Sequence, residues 1–277
     1  MYAFRDADAP IGAELEIDDF AALAGDSSAL AALQAALDRR AVVRIRAQTP
    51  VRAESVAKLA ALLGEPAARG NPLALDAQHD FIQVFRSDPK PDDGRERVRA
   101  FIEDLHYDVF ANGPAAYAVQ ILHDAPETTP MRFVDMRAVY ASLPDDTKAK
   151  IEHARCLHVA RAPMDGSRAP ATLQPVAARH PRSGAPFLLL ANKRDGKLDG
   201  LPDDEGRALH AALWARVEAS PARYARVMRP NEIYVWDNLA CVHDNPAFPR
   251  NATRHSWFFN ILRAGEIPAL AEKEIAA

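Results

Sequence analysis

The chain has 277 residues, 48% of them hydrophobic and 26% charged, with a formal net charge of −4. That length can bury a sizeable core, and that balance excludes both a globally disordered chain and a broad basic surface for nucleic acid. Two cysteines, Cys156 and Cys241, are too few to staple a fold of this size, so a reduced compartment is expected.

The first residues lack a basic start followed by an apolar run, and no apolar stretch approaches membrane-spanning length. A soluble, cytoplasmic protein with no membrane partner is therefore expected. Residues 11–20 alternate apolar and polar, which predicts a short strand leading into a turn. Residues 27–40 read as a helix: Ser27 or Ser28 is placed to cap it, Leu30, Leu33 and Leu37 share a face, and Arg39 and Arg40 suit its C-terminal end. A strand at 41–46 and a helix from Pro50 to Leu63, closed by Gly64, follow. A strand is expected at 81–85. The polar, proline-containing segment after it reads as a surface loop.

Further strands are expected at 116–122, 131–134, 156–160, 187–191, 232–236 and 255–262. Asp135 is placed to cap a helix through Tyr140, Pro144 and Asp145 start another through His153, and 203–219 is amphipathic with Leu209, Leu213 and Val217 aligned. Short strands without regular βαβ alternation predict a mainly β protein with flanking helices, an α+β antiparallel sandwich or barrel. No internal repeat divides the chain, so residues 1–277 read as a single domain.

Chemistry concentrates at His106-Tyr107-Asp108. On a strand, residues two apart point to one face, so an imidazole and a carboxylate at this spacing can meet one metal ion. An isolated H-x-D also arises by chance, with the aspartate capping a turn. The third donor must come from elsewhere, and His243, after the apolar strand at 232–236, is the candidate. Two histidines and one carboxylate make a facial set suited to Fe(II), with open positions on one side. His123 and His158 sit in apolar strand-like contexts and read as structural, as do His79, His153, His180 and His210 in polar or helical surroundings. Arg254 follows His243 by eleven residues and offers a planar, permanently charged fork for a carboxylate.

The order H-x-D, a long gap, W-D-N-x(4)-H and then x(10)-R resembles the taurine dioxygenase (TauD/TfdA) family of Fe(II)/2-oxoglutarate-dependent oxygenases. Similar stretches recur in order at IGAELEIDDF, LAALLGEP, ARHPRSGAPFLLLAN and RPNEIYVWDNLACVH, so the resemblance covers nearly the whole chain. It implies a double-stranded β-helix (jelly roll) core. It also implies His106, Asp108 and His243 as Fe(II) ligands and Arg254 as the partner of the distal 2-oxoglutarate carboxylate. The implied reaction couples oxidative decarboxylation of 2-oxoglutarate, with O2, to hydroxylation or related C–H oxidation of a small organic substrate.

Two departures bear on the substrate. In taurine dioxygenase a second arginine, four residues after the 2-oxoglutarate arginine, binds the sulfonate; here Phe258 stands there, which argues against taurine. Arg132 stands about where the family has a threonine touching 2-oxoglutarate, so it is a cofactor contact, an anchor for an acidic substrate or a solvent-facing residue. Phe258 and Trp257 are candidates for an apolar substrate wall, Arg69 for a substrate contact from an N-terminal loop, and 86–104 for a lid. The resemblance allows a homo-oligomer, although no segment marks an interface. Two other readings use the same residues. A zinc-dependent hydrolase would not need Arg254 at a fixed distance, and a non-catalytic binding protein would tolerate a broken ligand set, whereas this set is complete.

Overall fold

The computed structural model describes residues 2–67, 74–87, 97–98, 104–125, 128–160, 169–193, 196–249 and 252–271. Its centre is a seven-stranded sheet in the order Arg5–Asp6, Ala13–Ile17, Val42–Ala47, Glu232–Asp237, Tyr117–Asp124, Arg254–Ile261, Gln83–Ser87. Neighbouring strands are antiparallel except Ala13–Ile17 beside Val42–Ala47. A smaller sheet, Arg223–Arg226, Met131–Asp135 and Cys241–His243, lies over one face of the large one. The chain is thus mainly β with added helices, and no helix among the described residues is long and apolar enough to cross a membrane.

Side-chain alternation divides the large sheet into two faces with different tasks. Val43, Ile45, Val119, Ile121, Ile233, Val235, Trp257 and Phe259 point to one side, where they pack with the helices Phe20–Ala24, Ser27–Arg40 and Ala53–Leu63 in the largest core. Ala118, Leu122, Tyr234 and Trp236 point to the other side, against Met131, Phe133 and Tyr224 of the smaller sheet. A third core joins Tyr107, Val134, Met136, Phe187–Ala191 and the helix Asp203–Ala219 through Leu213, Trp214 and Val217.

The helices at 27–40 and 203–219 have the bounds read from the sequence. In the first, the cap is Asp26, whose carboxylate accepts the Ser28 N–H at 2.8 Å; Ser27 and Ser28 lie inside the first turn. Leu33 and Leu37 are buried with Ala29 and Ala36, while Leu30 sits at the edge of that face. Asp135 caps Met136–Ala141 as expected. The strand expected at 187–191 ends at Leu188, although Leu189–Ala191 stay fully buried. Strands at Ala171–Pro175 and Ala177–Arg179 were not legible in the sequence, because their polar and proline residues weaken the alternation. Cys156 and Cys241 are free and buried in different cores.

His158 behaves as a core residue: it is buried, both ring nitrogens lack partners, and burial, aided by nearby His210, pulls its pKa down to about 3. The unfolded chain takes up that proton near pH 6.5, so the neutral ring contributes stability above that pH, which is lost as pH falls toward 3. Replacing His158 with leucine should therefore shrink the stability lost between pH 7 and 4.5 by about 2.5 kcal/mol, measured by urea unfolding at both pH values. An unchanged acid limb would assign the acid sensitivity to other groups.

Candidate functional site

The metal-binding candidates converge. One donor atom each from His106, Asp108 and His243 lies within 4.8 Å of the others. The two histidines belong to different segments joined by reciprocal backbone hydrogen bonds, His106 N–H to His243 C=O at 2.9 Å and the reverse at 3.1 Å. Their rings sit 4.3 Å apart. The strand geometry assumed for H-x-D needs correction, since His106 makes only an isolated bridge and residues 107–108 lie in no strand.

The donor set fits a cation. His106 Nδ1 lies 2.8 Å from the Asp104 carbonyl, which can only accept, so that nitrogen carries the proton and Nε2 keeps its lone pair. His243 is fully buried among Trp236, Phe133 and His106, and burial together with His106 holds its pKa well below the ordinary histidine value. A neutral imidazole is the ligating form. Asp108 Oδ2 is buried without a hydrogen-bond partner and stands 4.0 Å from His243 Nε2, too far for a hydrogen bond. An orphaned carboxylate oxygen facing two imidazoles is a costly arrangement that a shared cation would relieve.

The turn before His243 is strongly braced. Asp237 accepts the Leu239 and Ala240 N–H groups at 3.0 Å each, meets His180 Nε2 at 3.0 Å and accepts from Arg182 at 3.2 Å. Burial pushes the Asp237 carboxyl up, but His180, the turn amide and Arg182 outweigh it and hold the group below its ordinary pKa. His180 is thus a buried partner of this turn, not a bystander.

Arg254 opens the strand Arg254–Ile261 on the face shared with Ser256 and Phe258. It is only 5% exposed, it lies over the Phe248 ring at 5.1 Å, and its Nε has no hydrogen-bond partner. No described carboxylate pairs with it, and burial alone brings its pKa down to about 10, so it stays charged at neutral pH. A buried, unpaired guanidinium calls for an anion. Two hydroxyls that the sequence reading does not single out are also buried without partners. Ser256 Oγ is buried without a partner two residues along the same face. Thr128 Oγ1, also buried and unpartnered, precedes Thr129, which exchanges hydrogen bonds with Ala247 beside Phe248. The Thr-Thr pair ahead of Pro130 was the signal for Thr128.

The structure separates the other candidates. Phe258, half-buried, approaches Trp236 at 6.0 Å and Phe85 at 6.3 Å on the Arg254 face. Trp257 points the opposite way, into the helix-covered core against His123, because adjacent strand residues cannot share a face. It therefore cannot line one wall with Phe258. Arg132 turns away from the Phe133 side and is half exposed. Its Nε donates to Asp244 at 2.6 Å and its backbone N–H to the same carboxylate at 2.7 Å, which fixes the residue next to His243. Arg69 and most of 86–104 lie outside the described residues.

The model of the taurine catabolism dioxygenase TauD, TfdA family matches residues 3–260. Among curated relatives, an alpha-ketoglutarate-dependent 2,4-dichlorophenoxyacetate dioxygenase of Cupriavidus pinatubonensis is 30% identical over 176 residues, 58% of this chain and 61% of the relative. Pentalenolactone F synthase of Streptomyces arenae is 26% identical over 140 residues, 42% of this chain and 46% of the relative. The matched region thus spans about half to three fifths of those relatives. Among solved structures, a taurine dioxygenase from Burkholderia xenovorans superposes with a TM-score of 0.77 at 21% identity, covering 99% of this chain and 96% of that one. The structure of AAD-2 in complex with Mn(II) and N-oxalylglycine superposes at 0.76 and 18% identity, covering 98% and 100%. With its family model matched from near the first residue to the last strand, the chain belongs to the taurine catabolism dioxygenase TauD, TfdA family.

Proposed function

We propose that this chain is an Fe(II)/2-oxoglutarate-dependent dioxygenase acting on a small organic substrate other than taurine. In this reading residues 1–277 form one domain and the two facing sheets are the layers of a double-stranded β-helix. His106, Asp108 and His243 hold the iron. Arg254 forks onto the distal carboxylate of 2-oxoglutarate, with the unpartnered hydroxyl of Ser256, two residues along the same face, donating to it. When bound, iron and 2-oxoglutarate together supply the reductive activation of O2, releasing succinate and CO2 and leaving one oxygen atom for the substrate.

The observation that carries this reading is Arg254, a buried cation that no carboxylate among the described residues pairs with. A zinc hydrolase using the same three ligands would have no use for it. AAD-2, with its bound metal and a dicarboxylate shaped like 2-oxoglutarate, adds support from a chain of the same fold. The remaining residues of the chain bind, orient and exclude water. Phe133 and Trp236 wall the His243 ring, and Asp237 sets the turn that delivers it. Phe258 and Phe85 offer an apolar surface where a sulfonate anchor is absent, which favours an apolar or aromatic substrate body. Arg132, half exposed and held by Asp244, is left out of this set of cofactor contacts.

The test is turnover. Anaerobically reconstituted enzyme, given O2, 2-oxoglutarate and a panel of aryloxy, terpenoid and sulfonate compounds, should release succinate fastest with apolar-bodied members and not above background with taurine. Metal-dependent ester or amide hydrolysis indifferent to 2-oxoglutarate would replace this reading with the hydrolase.

A further inference from the structure

We infer that Asn192 and Asn238 are positioning residues that hold the segment His106-Tyr107-Asp108 in its ligating shape before metal arrives. The inference rests on the metal site proposed above. The segment needs such help because its ladder pairing ends at His106. Beyond that residue no described strand pairs with the N–H groups of Tyr107 and Asp108, yet the orientation of these peptides sets where the Asp108 carboxylate points.

Two side-chain carboxamides take the place of the missing strand. Asn192 Oδ1 accepts the Tyr107 N–H at 3.1 Å, and its Nδ2 reaches the Tyr107 carbonyl at 3.5 Å. Asn238 Oδ1 accepts the Asp108 N–H at 3.1 Å, while its Nδ2 donates to the carbonyls of Asp108 and Ala115, each at 3.1 Å. A carboxamide carries the same donor and acceptor pair as a peptide, so each asparagine mimics one residue of a neighbouring strand. Asn238 is fully buried and lies in the turn braced by Asp237, five residues before His243. One side chain therefore ties the backbone of Asp108 to the arm that delivers His243, and so sets the spacing of carboxylate and imidazole. Asn192 follows the buried run Leu189–Ala191 and anchors Tyr107 to the third core. The chain downstream of Asp108 has its own tether, Ala115 N–H to Asp108 C=O at 2.9 Å, so Asn192 acts on the ligand segment alone.

The test measures metal affinity, using Co(II) as a probe with a visible ligand-field spectrum, on the full chain and on Asn192→Leu, Asn192→Asp and Asn238→Asp. Asn192→Leu keeps the shape and loses both hydrogen bonds. It should bind Co(II) about 10–100-fold more weakly while the metal-free protein melts within a few degrees of the parent. Asn192→Asp keeps the acceptor for the Tyr107 N–H and should recover most of that loss, a difference that packing alone would not produce. Asn238→Asp loses both donors and should weaken binding as much as Asn192→Leu; where it does not fold, the Asn192 pair decides. Equal affinity within twofold across folded variants, with the parent binding Co(II), overturns the positioning role and leaves the metal site standing. A parent that binds no Co(II) overturns both.

Discussion

Arg254→Met is expected to raise the 2-oxoglutarate concentration needed for half-saturation by roughly two to three orders of magnitude, without destabilising the ligand-free protein. Truncating one partner of a buried charge pair costs about 2–5 kcal/mol in binding, which is roughly thirty- to several-thousand-fold. The stability half follows from the same side chain seen without ligand. Arg254 is buried with an orphaned Nε and no carboxylate partner among the described residues, so the ligand-free protein bears its desolvation. An apolar side chain of similar length removes that cost, and such replacements are commonly neutral or stabilising. The melting temperature of the apo variant should match or exceed that of the parent, while the increase that 2-oxoglutarate gives the parent disappears. Lysine should restore charge but not the fork, and so recover only part of the affinity. A variant with an unchanged 2-oxoglutarate requirement would move the co-substrate elsewhere.

His106→Ala and Asp108→Ala should each abolish metal retention through gel filtration. The loss should exceed the 10–100-fold that changes behind the ligands typically cause. The two variants should part company in the apo state. Asp108 Oδ2 is an unsatisfied buried atom, so losing this carboxylate should leave the metal-free fold nearly as stable as the parent. His106 holds the Asp104 carbonyl and packs against His243, so its loss should cost some apo stability. Metal analysis and paired melting curves read both effects. Full metal occupancy in either variant would break the three-ligand assignment.

Much of this site was legible before the structure. The candidate ligands and Arg254 stood out through their residue types together with the family resemblance, because an isolated H-x-D also arises by chance. Periodicity located the long helices at 27–40 and 203–219 because charges and capping residues bound them sharply. The failures have physical causes. Trp257 and Phe258 are equally aromatic, and only strand register sends one to the core and the other to the Arg254 face. The asparagines that brace residues 107 and 108 lie 85 and 130 positions away, a proximity no local pattern encodes. Thr128 does not stand out in the sequence, because the resemblance aligns a threonine only loosely with Arg132, beyond the Pro130 turn.

The central claim is that one pocket holds both Fe(II) and 2-oxoglutarate. Its most direct test is an anaerobic titration of metal-free protein, with Fe(II) added first and 2-oxoglutarate second, followed by visible absorption. The account predicts a charge-transfer band that grows to saturation at one equivalent of iron, vanishes in His106→Ala, and needs far more 2-oxoglutarate in Arg254→Met. No band in the intact protein with iron bound would contradict it.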